Sequence, residues 1–183
     1  MNNITVKDVM IPVSEYIRIR ENETLYEAMQ LLQKKLEQNG GSRTHHDLLV
    51  EENTGKIIGK VTMIDIINFM EPQYKKIITP VASHVLESSF VQKVFKDFNL
   101  WSESLGNLCH KAASAQISKI MHRLNEADLV NDEATLDSAL HRYIMGVHQP
   151  ILVTNREKTV VGVLRLGDVY EKVRQGILSC EIK

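Results

Sequence analysis

GKVTMID, from Gly59 to Asp65, and GVLRLGD, from Gly162 to Asp168, decide how this chain folds. Each opens on a glycine inside an apolar run and closes on an aspartate. A phosphate-loop reading of GKVT fails on spacing. Such a loop needs a glycine five positions before the Gly-Lys pair and a hydroxyl residue after it, and the chain has Thr54 and Val61 there. Thr62 and Asp65 instead have the spacing of a helix-capping box, in which the threonine caps and the acid reaches back. The second stretch carries Arg165 in place of the threonine and still keeps Asp168. The helix dipole favours an acid there, so capping explains the first stretch well and the second only in part.

Working outward, the two stretches belong to a repeat. ENETLYEAM (Glu21–Met29) lies over DEATLDSAL, and VKDVM (Val6–Met10) over ISKIM, both displaced by 111 residues. HDLLV (His46–Val50) lies over QPILV at a displacement of 103, the one that also superposes the two opening stretches. The difference is an insertion in the first copy near LEQNGGSRT, a polar, Gly-containing loop where extra residues cost little.

Each copy reads β-α-β-β-α. YIRIR and ADLVN are the first strands. The first helices carry apolar stripes, Leu25, Ala28, Met29, Leu32 and Leu36 in one copy and Leu136, Ala139, Leu140, Tyr143 and Ile144 in the other. Thr24 and Thr135 stand where they can cap these helices. Strand pairs DLLVEE/KIIGKVT and PILVTN/TVVGVLR follow, turned by NTG and NREK, and each copy ends in a helix. The predicted fold class is α+β: two such units related by a pseudo-two-fold, with a helical insert between them. The expected boundaries are 1–70, 71–115 and 116–183.

The insert repeats nothing. Val91, Val94, Phe95 and Phe98 form one stripe and Leu105, Leu108, Cys109 and Ala112 another, with a turn at Asn99–Ser102, which predicts a helical hairpin. It is either a spacer with one apolar face or a dimerisation or docking element with Trp101 as anchor. The helix IDIINFM has almost no polar face. It must be covered on more than one side, by the other copy or by a second chain, and a homodimer is expected.

An apolar fraction of 43%, a charged fraction of 25% and a formal charge of −1 describe an ordinary globular chain, with no electrostatic reason to expect nucleic acid. No run has the length of a membrane span, and the start MNNITVKDVM lacks the basic and apolar regions of a signal peptide, so a cytoplasmic protein is expected. Cys109 and Cys180 show no disulfide or zinc spacing. His45, His46 and Asp47 alternate faces and do not converge on a metal. No nucleophile elbow, dinucleotide fingerprint or paired-acid motif appears, and no enzyme is expected.

In order, the lead-ins KDVM and SKIM, the T-L-x-x-A helices, the apolar strands and the closing Gly…Asp motifs resemble a tandem pair of CBS domains, over about residues 4–70 and 117–178. That resemblance implies a regulatory module. Its two clefts between the copies bind adenosine-containing ligands: AMP, ADP, ATP or S-adenosylmethionine. No cofactor is required. The resemblance gives Asp65 and Asp168 the ribose hydroxyls, chemistry that suits an ionised carboxylate. It gives Thr62 the ribose or phosphate, and the adenine wall to Tyr16 and Ile17 and to Ala127 and Asp128. The phosphate edge falls to Thr44 and His45 and to Val147 and His148, with Arg123 near enough to help. Arg165 departs from the family pattern: it either blocks its cleft or grips a phosphate with its guanidinium. Two functions are carried forward: a ligand sensor acting on an unidentified effector protein, and a ligand-independent assembly or docking module.

Overall fold

The β-α-β-β-α order of each copy is the order found in the computed structural model, which describes residues 4–38, 46–74 and 88–179. The chain divides into two compact units: Met1–Arg18, Leu49–Lys60 and Arg123–Lys183 form one, Ile19–Leu48 and Val61–His122 the other.

The first unit holds a four-stranded sheet of order β1-β8-β7-β6. Strands β6 (Leu129–Asn131) and β7 (Ile151–Thr154) pair in parallel, which requires a crossover, here α6 (Leu136–Ile144). Strand β8 (Val160–Leu164) returns antiparallel to β7. The turn between them is held by Asn155, whose Oδ1 accepts the N–H groups of Glu157 and Thr159, both at 3.0 Å. Period-two alternation sends β7 side chains both ways. Ile151 and Val153 join Val6, Leu136 and Tyr143 in one cluster, and Leu152 joins Tyr16, Leu49 and Val163 in another. β7 is therefore apolar on both faces from Ile151 to Val153, with Thr154 at its end.

Strand β1 (Ile11–Pro12), from the start of the chain, closes the edge of this sheet, with Ile11 opposite Val163 and Pro12 opposite Gly162. The approach is close. A Cβ on Gly162 would stand 2.5 Å from Met10 Sδ and 2.9 Å from the Ile11 carbonyl oxygen. Here the glycine that opens GVLRLGD serves close packing.

A second sheet has the order β2 (Arg18–Arg20), β3 (Leu48–Glu51), β4 (Ile57–Val61), β5 (His122–Arg123). Within the first unit, the Leu49 N–H donates to the Ile17 carbonyl at 3.0 Å and the Leu124 N–H to the Ile58 carbonyl at 3.1 Å.

In the first unit Thr5 bridges Thr135, and in the second Thr24 bridges Gln116. These are the same bridge: each member of one pair is displaced by 111 residues from a member of the other. Around the first, Val6 and Lys7 donate to the carbonyls of Ala134 and Asp132, both at 2.9 Å. Around the second, Ile117 and Ser118 donate to Glu23 at 2.8 Å and Glu21 at 2.9 Å.

The second unit contains α1 (Leu25–Gln38), α2 (Met63–Met70), α3 (Ser88–Asp97), α4 (Leu105–Ala113) and α5 (Ile117–Ile120). α3 and α4 are the two helices read from the insert, and α4 packs against α1 and α2. Asn99 and Trp101 take left-handed backbone angles, φ 48° and 54°, which turns the chain sharply between α3 and α4. Trp101 is tied inward: its backbone N–H donates to Glu71 Oε2 at 2.7 Å and its indole N–H to the Tyr74 hydroxyl at 3.1 Å.

Several local expectations differ from the structure: Met29, on the α1 stripe, is 38% exposed, and the strand read from Ala127 begins at Leu129. Thr24 caps α1, with Glu27 reaching back to it, whereas the Thr135 side chain makes no cap bond. A capping box needs an acid or amide at the third helical position. The second copy has Ser138 there, and its hydroxyl donates to the Thr135 carbonyl at 2.9 Å. Ile144 lies on the predicted stripe yet is 81% exposed, because α6 ends at that residue. α4 buries only Leu108 and Ala112 of its stripe, leaving Leu105 and Cys109 exposed.

Gly162→Ala should destabilise the protein by about 1–3 kcal/mol in urea unfolding, because the Ile11 backbone cannot yield as a side chain would. Acid sensitivity follows from two carboxylates. The Thr5 backbone N–H, then its hydroxyl, hold the Asp8 carboxyl below the ordinary 3.8. Thr24 does the same to Glu27, whose ordinary value is 4.5. Folded-state values that are depressed give stability present above the ordinary values and lost as pH falls through the depressed ones. Asp8→Asn and Glu27→Gln should therefore each flatten the acid limb of a stability-against-pH curve.

Candidate functional site

A helix start leaves unbonded N–H groups and a partial positive charge, which a nearby acid satisfies. In the second unit, Thr62 caps α2. Its backbone N–H and hydroxyl donate to Asp65 Oδ2 at 2.9 and 2.7 Å, and the Asp65 N–H donates back to Thr62 Oγ1 at 3.3 Å. This is the capping box that the spacing predicts.

In the first unit the equivalent helix is α7 (Leu166–Leu178), which follows β8 directly, with Arg165 as its cap residue. Arg165 offers no side-chain acceptor to the helix. Its guanidinium turns onto Asp168, with Nε at 2.6 Å from Oδ2 and Nη2 at 2.7 Å from Oδ1. The two side chains are 27% and 28% exposed, so the pair lies at the surface rather than in the core. Tyr16 is buried against Val163 of the same β8 strand that delivers Arg165 and Asp168. Ile17 is half-buried, its carbonyl engaged by Leu49.

Two of the remaining predicted residues of the first unit, Asp128 and His148, meet at a group that sequence reasoning passed over. Lys60, the lysine of GKVT, has no exposed surface. Its Nζ donates to Asp128 Oδ1 at 2.9 Å, to the Pro150 carbonyl at 2.8 Å and to the His148 carbonyl. Three acceptors match the three donors of an ammonium. The other Asp128 oxygen accepts the Asn125 N–H at 2.9 Å. Lys60 thus brings Asp128 together with His148, while Ala127 lies exposed with its carbonyl accepting from Arg142 at 3.2 Å. Val147 is half-buried and Arg123 exposed. Thr44 and His45 lie outside the described residues. The signal for Lys60 was a cation inside the apolar strand IIGKV, which demands a buried partner. That partner, 68 residues away, is not readable from spacing.

Residues 6–72 match the family model of the CBS domain. That match covers the first copy of the repeat. Across nearly the whole chain the fold is that of solved CBS pairs. A crystal structure of CBSX2 in complex with AMP has a TM-score of 0.60 and 15% identity, covering 96% of this chain and 99% of that one; CBSX2 is a CBS-pair protein from Arabidopsis thaliana. A CBS domain-containing protein of unknown function from Bacillus anthracis has a TM-score of 0.58 and 16% identity, covering 94% of each chain. The CBS domain of a bacterial CNNM/CorC-family Mg2+ transporter, solved with ATP, has a TM-score of 0.58 and 15% identity, covering 93% of this chain and 87% of that one. No curated protein matches the sequence. Among the described residues, no helix is long and apolar enough to cross a membrane.

Removing one partner of a buried ion pair leaves the other charge uncompensated. Lys60→Met should therefore cost about 3–5 kcal/mol in urea unfolding. The double variant Lys60→Met/Asp128→Leu should recover part of that loss, a coupling that a double-mutant cycle measures.

Proposed function

We propose that this CBS pair is a regulatory sensor that binds an adenosine-containing ligand and passes the signal to an effector protein, without catalysing a reaction. The observation that carries the reading is the carboxylate at the head of each copy's last helix. Asp65 and Asp168 recur although their cap partners differ, a threonine in one and an arginine in the other. A part-exposed carboxylate at a helix start can accept from two neighbouring ribose hydroxyls. In the first unit, half-buried Ile17 offers apolar surface for a base, next to Tyr16, which is buried against Val163. AMP and ATP are the ligands held by the solved relatives CBSX2 and the Mg2+ transporter domain. Adenine nucleotides therefore rank ahead of S-adenosylmethionine for this chain. Sensing requires that the ligand favour one of two arrangements of the protein; binding both equally would transmit nothing.

Titration calorimetry with AMP, ATP and S-adenosylmethionine tests the reading. Asp65→Ala and Asp168→Ala should each weaken the preferred nucleotide by about tenfold or more at their own site, the loss associated with a charged hydrogen-bond acceptor. Absence of binding into the millimolar range, or affinities indifferent to both substitutions, would overturn it.

A second reading, assembly without ligand, has its own observation. On α2, Met63, Ile64 and Ile67 are 59%, 61% and 42% exposed, and such a cluster on a surface helix suits an interface. It predicts a homodimer in ligand-free protein, measured by light scattering on a sizing column, that Ile64→Arg converts to monomer.

A further inference from the structure

The two copies treat the same carboxylate differently. In the first, neutral donors, a hydroxyl and a backbone N–H, converge on one oxygen of Asp65. In the second, a guanidinium takes one oxygen of Asp168 through Nε and the other through Nη2, in the parallel fork that arginine forms with carboxylates. A ligand that donates ribose hydroxyls to Asp168 must therefore compete with a cation already seated there.

We propose that Arg165 makes the Asp168 site selective for phosphate-bearing adenosine ligands over the bare nucleoside, an inference that rests on the sensor reading above. A nucleoside offers Asp168 only neutral hydroxyls. To place them it must displace a bidentate charge-assisted pair and return the guanidinium to water. A nucleotide brings a second anion, two of whose phosphate oxygens can accept the same fork. Arg165 then exchanges one anion for another as Asp168 turns to the ribose, and the geometric match of guanidinium to phosphate oxygens makes the exchange favourable. The pair is suited to such opening. It is part-exposed, joins residues only three apart, and lies on the first turn of α7, so releasing it uncovers no buried charge. Arg165 thereby both excludes the wrong ligand and holds the right one.

The test compares adenosine with AMP by calorimetry, in an Asp65→Asn background so that the signal reports Asp168. With Arg165 in place, AMP should bind at least about thirtyfold more tightly than adenosine. Arg165→Thr installs the cap residue that the first copy uses, so the helix start is preserved. Circular dichroism verifies that it is. In this variant adenosine should tighten roughly three- to fivefold as its competitor disappears. AMP should weaken about tenfold as its charged partner is lost, bringing the two within about threefold of each other. Arg165→Lys, which keeps the charge without the fork, should fall between. An AMP-to-adenosine ratio unchanged in Arg165→Thr overturns the inference and leaves the sensor reading standing. AMP affinity unchanged by Asp168→Asn in the same background removes both.

Discussion

The backbone exchange at the two lead-in segments is the constraint on which the rest of this fold depends. A β-α-β-β-α unit by itself leaves an open sheet edge and the unbonded N–H groups of its first helix. The Thr5–Thr135 and Thr24–Gln116 bridges answer both needs, each lead-in running beside the first helix of the other copy. β1 then covers the β8 edge. Because backbone groups make these bonds, the exchange tolerates a threonine in one copy and a glutamine in the other. It does not tolerate bulk at the crossing point, and Gly162 marks that point.

Lys60 is a second long-range tie. An ammonium without solvent contact is costly unless its donors are met, and here an acid and two carbonyls meet them. The result holds the turn around Asp128 and the segment before β7 to β4 of the first copy. The surface bearing Ala127 and His148 is thus set from behind by a residue that no ligand need touch.

Much of the architecture was legible in the chain because repetition shows twice what periodicity shows once. The apolar stripes of Leu25, Ala28 and Leu32 and of Leu136, Ala139 and Tyr143 face their cores as their spacing predicts. The stripes failed at Met29, which α1 leaves 38% exposed, at Ile144, where its helix ends, and on α4, which buries a narrower face than its stripe. Capping also needed more than one residue. Thr24 succeeds with Glu27 and Thr135 fails with Ser138, since the third position decides whether the box closes.

By itself the sequence determined two copies, the order of their elements and the placing of an aspartate at the head of each last helix. These follow from local periodicity, turn chemistry and repetition, which act over a few residues. Tertiary structure decided what those residues meet. It set Gly162 against the Ile11 backbone, turned the lysine of GKVT inward onto Asp128, and laid the Arg165 fork across Asp168. Each outcome depends on contacts between distant segments or on the direction of one side chain, and neither leaves a mark in spacing along the chain.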